Sequence, residues 1–301
     1  MSLADKDLSI GIIIPTLNAE NDLKKIFKYL NFDKYKVLII DSNSTDGTEK
    51  ISKNHNCKFV IENNFNHGST RERARKILST DIVVYLTQDA HLFSHDSIDK
   101  LIKPLLDGEA SMAYGRQIPR KNSNLFESTP VEFNYPNQSH FRSINDIKNY
   151  GVFTYFFSNN FSAYINNELD EIGGFKKILT GEDYFACRKI LKNGKNVAYV
   201  SDAKVYHSHN FSLLENFRRY FDTGYVRGKR KFIQSEVGHA DHRGFELSKL
   251  LIKKVISENI LLLPYALIEI FFKYFGYKIG FFGANLPIAV KKKLSNQKYY
   301  W

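Results

Sequence analysis

The chain of 301 residues contains only two cysteines, Cys57 and Cys187. Two cysteines are too few for a disulfide framework, and neither has a partner at metal-ligand spacing, so we expect a reducing compartment. Residues 1–7 are polar and precede a strand-length apolar run at residues 8–15, a pattern that differs from a signal peptide. The sequence therefore predicts a cytosolic protein.

Two other absences argue against particular classes of protein. No Gly-x-Gly-x-x-Gly motif follows the first apolar run, which disfavours a nicotinamide-dependent dehydrogenase. Residues 259–282 are rich in Leu, Ile, Phe and Tyr, but they contain no uncharged run of eighteen residues because four residues interrupt them: Pro264, Glu269, Lys273 and Lys278. A simple transmembrane helix is therefore not expected.

The net charge of +11 belongs almost entirely to the last third of the chain. Residues 203–301 contain 17 Lys or Arg against 7 Asp or Glu. This region has no recognisable nucleic-acid-binding module, so its basic blocks beside apolar stretches favour an anionic membrane surface over nucleic acid. A solvated charged face is the simpler alternative.

Residues 259–282 have two interpretations that the sequence does not separate. In the first, they form an amphipathic element in the membrane interface, with Lys273, Lys278 and residues 291–293 near anionic head groups. In the second, they form a buried helical hairpin that packs on the rest of the chain or mediates dimerisation.

Apolar strand patterns alternate with helical patterns through residues 1–116. Strands are predicted at residues 8–14, 37–40, 58–61 and 82–86, and helices at residues 20–30, up to about 55, and at 69–78. This alternation predicts an α/β fold, with a mostly parallel sheet covered by helices on both faces. Ligands of such sheets bind beyond the carboxyl ends of the strands.

The remainder of the chain is less regular. Residues 117–150 are polar and lack a sustained period, so we expect a long loop or lid over the site. A strand at residues 161–165, a helix at 183–191 and a strand at 197–200 are predicted to follow.

Two acidic islands are the candidates for chemistry. Asp89 comes just after the predicted strand at residues 82–86, and Glu182 and Asp183 lie at the start of the predicted helix. A carboxylate at the rim of a sheet can hold a divalent cation against a phosphate. The simpler explanations are turn chemistry at Asp89 and acidic capping of a helix at Glu182 and Asp183.

Several segments, taken in order, resemble the family-2 inverting glycosyltransferases with the GT-A fold. They are IIIPTLN at residues 12–18, IIDSNSTDGT at 39–48, Asp89, GGF at 173–175 and GED at 181–183. The resemblance covers roughly residues 8–210. Further segments are similar to bacterial rhamnosyltransferases of surface-polysaccharide assembly: FNHGSTR at 65–71, LTQDA at 86–90, HSH at 207–209, FRRYFDTG at 217–224, and residues 294–295 and 300–301.

This resemblance implies a role for each matching residue. Asp183 would be the catalytic base, supported by Glu182, with the exchanged roles as the alternative. Asp41 would face the nucleotide base. Asp89 would hold Mg²⁺ or Mn²⁺ against the diphosphate. The implied nucleotide-sugar site comprises Pro15, Thr16, Asn18, Asp41, His67, Gly68, Arg71, Gln88 and Asp89.

Three of these assignments have competing explanations. Gln88 and Ala90 replace the acids of the fuller metal motif, so Asp89 would need help, which we expect from His207. His207 and His209 are equally compatible with hydrogen-bonded packing. Arg71 suits a diphosphate but also a surface salt bridge.

The resemblance also implies a reaction. The expected protein is a metal-dependent inverting glycosyltransferase that moves L-rhamnose from dTDP-L-rhamnose to a lipid-linked saccharide in O-antigen and lipopolysaccharide synthesis, on the inner face of the bacterial plasma membrane. Residues 1–210 would be catalytic, with 117–150 meeting the acceptor, and residues 211–301 would meet the membrane or form a homodimer. The alternatives are another donor, such as a UDP-hexose, or a catalytically silent membrane-associated scaffold that binds nucleotide sugars.

Overall fold

The computed structural model describes residues 7–238 and 241–301. Within them, nine strands form one sheet: β1 (Ile10–Thr16), β2 (Lys36–Asp41), β3 (Lys58–Ile61), β4 (Ile82–Leu86), β5 (His91–Leu92), β6 (Met112–Ile118), β7 (His140–Arg142), β8 (Phe161–Ile165) and β9 (Val197–Tyr206). The helices are α1 (Glu20–Phe27), α2 (Thr48–Asn54), α3 (His67–Leu78), α4 (Ser97–Leu106), α5 (Leu125–Asn134), α6 (Ile147–Tyr150), α7 (Asn166–Glu171), α8 (Glu182–Lys192), α9 (Leu213–Lys229), α10 (Phe232–Val237), α11 (Asp241–Glu258), α12 (Leu263–Phe282) and α13 (Ile288–Leu294).

The strand order is β3-β2-β1-β4-β8-β6-β9-β5, with β7 pairing beside β9. β1, β2, β3 and β4 pair in parallel, as do β6 and β9, whereas β8 runs antiparallel to both β4 and β6. The sheet is therefore mostly parallel, and the carboxyl ends of β1, β2, β4, β6 and β9 lie at one edge. The amino end of β8 lies at that same edge.

Helices cover both faces of the sheet, as the sequence predicts. Ile12 and Ile14 of β1 pack in one core cluster with α1 and α4, and Ile13 packs in the other with α3 and α8. A strand buried on both faces is a continuous apolar run, which makes it easy to recognise in a sequence. The predicted α/β class is confirmed.

The predicted strands at residues 58–61, 82–86 and 161–165 are confirmed residue for residue. β1 continues through Pro15 to Thr16, and β9 is ten residues long, where residues 197–200 were predicted. α3 begins two residues earlier than predicted because Asn66 Oδ1 accepts hydrogen bonds from the backbone N–H groups of Gly68 and Ser69.

The prediction of a long loop at residues 117–150 is wrong, because this segment contains α5, β7 and α6. Asn124 and Glu127 form a reciprocal capping box at the start of α5, and α5 packs against α11. A packing partner more than a hundred residues away is invisible to a local hydrophobic pattern, which explains the error.

The described part of residues 211–301 is largely helical, and α9 packs closely against α12. Gly224 and Gly228 on α9 and Gly276 and Gly280 on α12 lie at the contact. A Cβ added at any of the four would lie 2.0–2.4 Å from a carbonyl oxygen of the other helix. Small residues four apart allow this approach of two backbones, a pattern frequent between membrane helices.

The predicted helical hairpin at residues 259–282 is wrong, because α12 is one continuous helix. The stretch Ile260–Asn285 contains an 18-residue window with a mean hydropathy of 1.4, so by length and composition it could cross a membrane, and 17% of that window is buried. Length and composition alone do not separate a membrane span from other apolar helices. Large apolar side chains of α12 are exposed: Tyr265, Leu267, Ile268, Phe271, Tyr274, Phe275 and Phe282.

The lysines that were expected near anionic head groups have different environments in the structure. Lys273 forms an ion pair with the buried Glu269, and the buried Lys291 donates to the carbonyl of Ala284. Both lysines are held by internal contacts, which corrects the expectation that they lie near head groups. Lys292 and Lys293 are exposed.

The glycine contact generates a test of stability. Gly280→Val should lower the free energy of unfolding by about 1–3 kcal/mol, because its side chain would overlap the carbonyl of Phe221. Gly244→Ala on α11 is the control, since an added Cβ meets no atom within 4 Å. That control should be neutral or stabilising by about 0.4–1 kcal/mol. Equal midpoints of urea unfolding for wild type and Gly280→Val would contradict the close contact.

Candidate active site

Asp41 is the last residue of β2, at the edge of the sheet where the carboxyl ends of the parallel strands lie, and it is almost completely buried. Its Oδ1 accepts hydrogen bonds from Thr16 Oγ1 at 2.7 Å and Ser44 Oγ at 2.5 Å, and its Oδ2 accepts one from Ser44 N at 2.7 Å. These bonds join the ends of β1 and β2 and hold the carboxylate in one orientation. The structure thus brings together Thr16 and Asp41, two residues of the predicted nucleotide site.

Asn18 and Gln88 shape the loops beside Asp41. Asn18 has a positive φ of 50°, and its Oδ1 accepts a hydrogen bond from Thr45 N at 2.9 Å. The amide of Gln88 pairs with the backbone of Leu17, donating to its carbonyl at 3.1 Å and accepting from its N–H at 2.8 Å. Gln88, which stands where the fuller motif has an acid, ties the loop after β1 to the loop after β4.

Asp89 meets two histidines at the ends of β4 and β9, and we call these three residues the Asp–His cluster. Asp89 Oδ2 lies 3.4 Å from His207 Nε2 and 3.2 Å from His209 Nε2. The two imidazole nitrogens are 2.9 Å apart, and the three potential ligand atoms lie within 4.8 Å of one another. One carboxylate and two imidazoles are a donor set that divalent cations use in proteins.

Hydrogen bonds orient the ring of His207 for ligation. Gln117 Nε2 donates to Tyr135 Oη at 2.6 Å and Ser158 Oγ at 3.0 Å, so its Oε1 faces His207 Nδ1 at 2.8 Å. Because this oxygen can only accept, Nδ1 carries the proton and Nε2 presents its lone pair. Burial, the largest cause, lowers the pKa of His209 to about 4, so that ring is neutral at pH 7.

The carboxylate of Asp89 remains ionised. Burial opposes its ionisation, but the two imidazoles beside it outweigh burial and lower the pKa of Asp89 well below its usual value. Arg120 also donates from Nη2 to the carbonyl of Asp89 at 2.9 Å. An ionised carboxylate and two lone-pair nitrogens converge, so the residues fit a divalent cation.

Asp183 lies in the first turn of α8, as predicted, and its oxygens accept hydrogen bonds from Asn159 N at 3.1 Å and Tyr184 N at 2.8 Å. Burial, and then the charge of Glu182, raise the pKa of Asp183 to about 7. A carboxylate with a pKa near neutrality can take up a proton at working pH. Asp183 therefore has the properties of a general base.

Glu182 is held in a buried ion pair. Its Oε1 lies 3.2 Å from Arg71 Nη1 and accepts from Asn159 Nδ2 at 3.1 Å. Burial opposes ionisation, but the charges of Arg71 and His67 outweigh it and lower the pKa of Glu182. The pKa values of these two neighbouring acids are thus shifted in opposite directions, so Glu182 is charged and Asp183 titrates near neutrality.

Arg71 does not form the surface salt bridge that was one alternative, because it is buried on Glu182. It also donates to the carbonyl of His67 at 3.1 Å, and His67 Nε2 lies 3.1 Å from Gln297 Nε2. A Cβ at Gly68 would lie 2.0 Å from the carbonyl of Lys176, so Gly68 allows the segment before α8 to approach α3. The structure thus places these three predicted residues beside Glu182.

Asn159 and Asn160 connect the two acidic islands. Asn159 bonds both Glu182 and Asp183, while Asn160 Nδ2 lies 3.4 Å from His207 Nδ1. The carbonyl of Asn160 also accepts from Thr87 N at 3.0 Å, two residues before Asp89. These asparagines connect Asp183 with the segment that carries Asp89.

Comparisons with known proteins identify the family of the chain. The model of the family named Glycosyl transferase family 2 matches residues 11–166. The chain is 33% identical to the O-antigen chain rhamnosyltransferase WbaN of Salmonella anatum, over 97% of this chain and 96% of that protein. It is 35% identical to the O-antigen chain rhamnosyltransferase RfbN of Salmonella typhimurium, over 98% and 96%. The chain belongs to glycosyl transferase family 2.

Solved structures confirm the fold of this glycosyltransferase. The mannosyltransferase PcManGT from Pyrobaculum calidifontis, in complex with GDP-Man and Mn²⁺, matches with a TM-score of 0.62 and 17% identity, covering 95% of this chain and 89% of that one. S. aureus TarS 1–349 in complex with UDP-GlcNAc matches with a TM-score of 0.54 and 13% identity, covering 93% of each chain. At such low identities the likeness establishes the predicted GT-A fold alone.

The sequence did not single out several residues of this glycosyltransferase site: Gln117, Arg120, Ser158, Asn159 and Asn160. Asparagine and glutamine have no distinctive spacing, so no local signal could have found them. His209 was available in the HSH motif, but only the geometry raises it to the same standing as His207.

The raised pKa of Asp183 generates a test. The folded glycosyltransferase holds this proton more tightly than the unfolded chain, so the associated stability is present below about pH 4 and is lost as pH rises through 7. The Asp183→Asn variant has no carboxyl group at this position, so it does not lose this stability as pH rises. Its free energy of unfolding relative to wild type should therefore rise by roughly 1–3 kcal/mol between pH 5 and 8. Asp202→Asn, whose side chain is 73% exposed, is the control. Parallel pH curves for wild type and Asp183→Asn would contradict the assignment.

Proposed function

We propose that this protein is an inverting glycosyltransferase that moves L-rhamnose from dTDP-L-rhamnose to a lipid-linked saccharide in O-antigen and lipopolysaccharide synthesis. The observation that carries the proposal is that Asn159, bonded to Asp183, is adjacent in the chain to Asn160, whose carbonyl accepts a hydrogen bond from Thr87 N just before the Asp–His cluster. Two relatives named O-antigen chain rhamnosyltransferases, matched over nearly their full length, support the choice of sugar and pathway.

Asp183 removes the proton from the acceptor hydroxyl as that oxygen attacks the anomeric carbon, opposite the leaving nucleoside diphosphate. Its pKa of about 7 suits a general base, because it is mostly ionised just above neutrality and basic enough to accept the proton. Glu182 stays charged on Arg71 and raises the pKa of its neighbour. Glu182 is thus the supporting residue.

Asp89, His207 and His209 would hold the divalent cation. Two imidazoles favour Mn²⁺ over Mg²⁺, because Mg²⁺ prefers oxygen ligands and keeps several waters. When bound, such an ion offsets the negative charge that develops on the leaving diphosphate. The Mn²⁺ in the complex of PcManGT supports a metal at this site.

The donor binds at the ends of β1, β2 and β4. Asp41 would accept the ring N–H of the thymine, held in place by Thr16 and Ser44. Pro15 lies near the end of β1, and Asn18 shapes the loop that follows it. The alternative donor is a UDP-linked sugar, because TarS, a protein of similar fold, binds UDP-GlcNAc.

Residues 1–210 form the catalytic part of this proposal, and residues 211–301 attach it to the inner face of the bacterial plasma membrane. The exposed apolar side chains of α12 would enter the interface, and the exposed Lys292 and Lys293 would meet anionic head groups. A homodimer formed through the same apolar side chains is the competing arrangement.

Binding and turnover test the donor, the metal and the base. We expect dTDP-L-rhamnose with Mn²⁺ to raise the melting temperature more than UDP-glucose does. With lipid from O-antigen-producing bacteria as acceptor, the protein should release dTDP, and a chelator should stop release until Mn²⁺ is restored. Asp183→Asn should keep the melting shift but slow release about 10²–10⁴-fold.

The control for these assays is Asp202→Asn, which removes an exposed carboxylate and should keep wild-type turnover. A larger shift with UDP-glucose would favour the alternative donor. Melting shifts without release of any nucleoside diphosphate would support a silent scaffold protein. Full activity of Asp183→Asn would refute its role as base.

Vesicle binding tests the membrane proposal. Phe271 and Phe275 have stacked rings 5.4 Å apart and are both exposed. The double variant Phe271→Ser, Phe275→Ser should bind vesicles of phosphatidylcholine and phosphatidylglycerol about tenfold more weakly, because apolar area no longer enters the interface. Lys292→Glu with Lys293→Glu should weaken binding and reduce its dependence on salt.

Phe141→Ser on β7 is the matched control, because Phe141 is similarly exposed but lies far along the chain from α12. Its vesicle binding should equal that of wild type. If the phenylalanine variants bind vesicles normally but change from dimer to monomer in analytical ultracentrifugation, the apolar side chains form a dimer contact instead.

A further inference from the structure

A cavity of about 320 Å³ separates the Asp–His cluster from the helices that follow it. Its lining comes mainly from the segment that carries His207 and His209, helix α5, and the packed pair α9 and α12, with Gln117, Ser158 and Asn160 beside the cluster. The donor residues Thr16 and Asp41 do not line it. The cavity therefore adjoins the metal-ligating side of the site from the direction of the last third of the chain.

Glu269 is an unusual residue in the lining of this cavity. It is 2% exposed and lies on α12, which is otherwise strongly apolar. Its Oε1 accepts a hydrogen bond from Asn216 Nδ2 at 3.2 Å and pairs with Lys273, but its Oε2 has no hydrogen-bond partner among the described residues. A buried carboxylate oxygen without a donor is costly, so a bound molecule that donates a hydrogen bond would relieve it.

The chemistry of the lining indicates the kind of donor. An ionised carboxylate only accepts, so its partner is a hydroxyl or N–H group. Phe126, Phe211 and Tyr220 add aromatic surface to the same lining. Polar groups set among aromatic surfaces suit a saccharide, which presents both hydroxyls and apolar ring faces.

We propose that this cavity is the acceptor-saccharide subsite and that Glu269 accepts a hydrogen bond from an acceptor hydroxyl. The inference rests on the proposed glycosyltransferase reaction and assigns its second substrate to a place. α12 supplies both Glu269 inside the cavity and the exposed Phe271 and Phe275 outside it. The lipid of the acceptor can thus stay beside the outer side of α12 while the sugar enters the cavity.

The experiment measures the effect of a Glu269 variant on the KM for acceptor and on the KM for donor independently. Initial rates of dTDP release by the full-length Glu269→Gln variant are measured against concentration of lipid acceptor at saturating donor, and then against donor at saturating acceptor. We expect the KM for acceptor to rise about tenfold or more, because a hydrogen bond to a charged group is lost. The KM for dTDP-L-rhamnose should not change.

Two more variants keep the test decisive. The Tyr220→Trp variant narrows the cavity from α9 and leaves Glu269 and its partners Asn216 and Lys273 in place. The KM of this variant for acceptor should therefore also rise, even if Glu269→Gln folds poorly. Glu258→Gln changes an exposed glutamate at the end of α11 and should match wild type. Melting curves establish that each variant is folded.

Failure of the inference is distinct from failure of the proposed reaction. If wild-type protein turns over no donor, the proposed glycosyltransferase reaction is refuted. If wild type is active but both cavity variants keep the acceptor KM, the subsite is elsewhere. A rise in the donor KM alone would assign the cavity to the donor and overturn the proposal.

Discussion

The antiparallel pairing of β8 with β4 is the constraint on which the site depends. Leu86, at the carboxyl end of β4, pairs with Phe161, at the amino end of β8. Asp89 just after β4 and Asn159 just before β8 are therefore brought to the same edge of the sheet. A parallel β8 would place its amino end at the opposite edge and leave the Asp–His cluster without its connection to the base.

The buried ion pair between Arg71 and Glu182 divides the roles of two adjacent acids. Burial alone would raise the pKa of both, but Arg71 stabilises the charge of Glu182, and that charge then disfavours ionisation of Asp183. Because Gly68 lets the segment before α8 approach α3, the ion pair also depends on close backbone packing. A charge fixed at one residue thus controls proton uptake at the next.

The last helices combine two kinds of surface. Glycines bring α9 and α12 into backbone contact, which leaves the larger side chains of α12 to point elsewhere. Some of these remain exposed, while Glu269 is enclosed beside the cavity. One helix therefore presents an apolar surface on one side and a buried carboxylate to the cavity on the other.

Local sequence patterns determined the strands near the site and the position of both acidic islands, because a strand buried on both faces is a continuous apolar run and the motifs are contiguous. The order of motifs also determined the family. Only the tertiary structure decided that Arg71 pairs with Glu182, that His209 joins His207, and that residues 117–150 contain α5. These depend on contacts between segments far apart in the chain, which local periodicity does not encode. The same reason applies to Asn159: its residue type carries no signal, and only the strand pairing makes it the connection between the base and the Asp–His cluster.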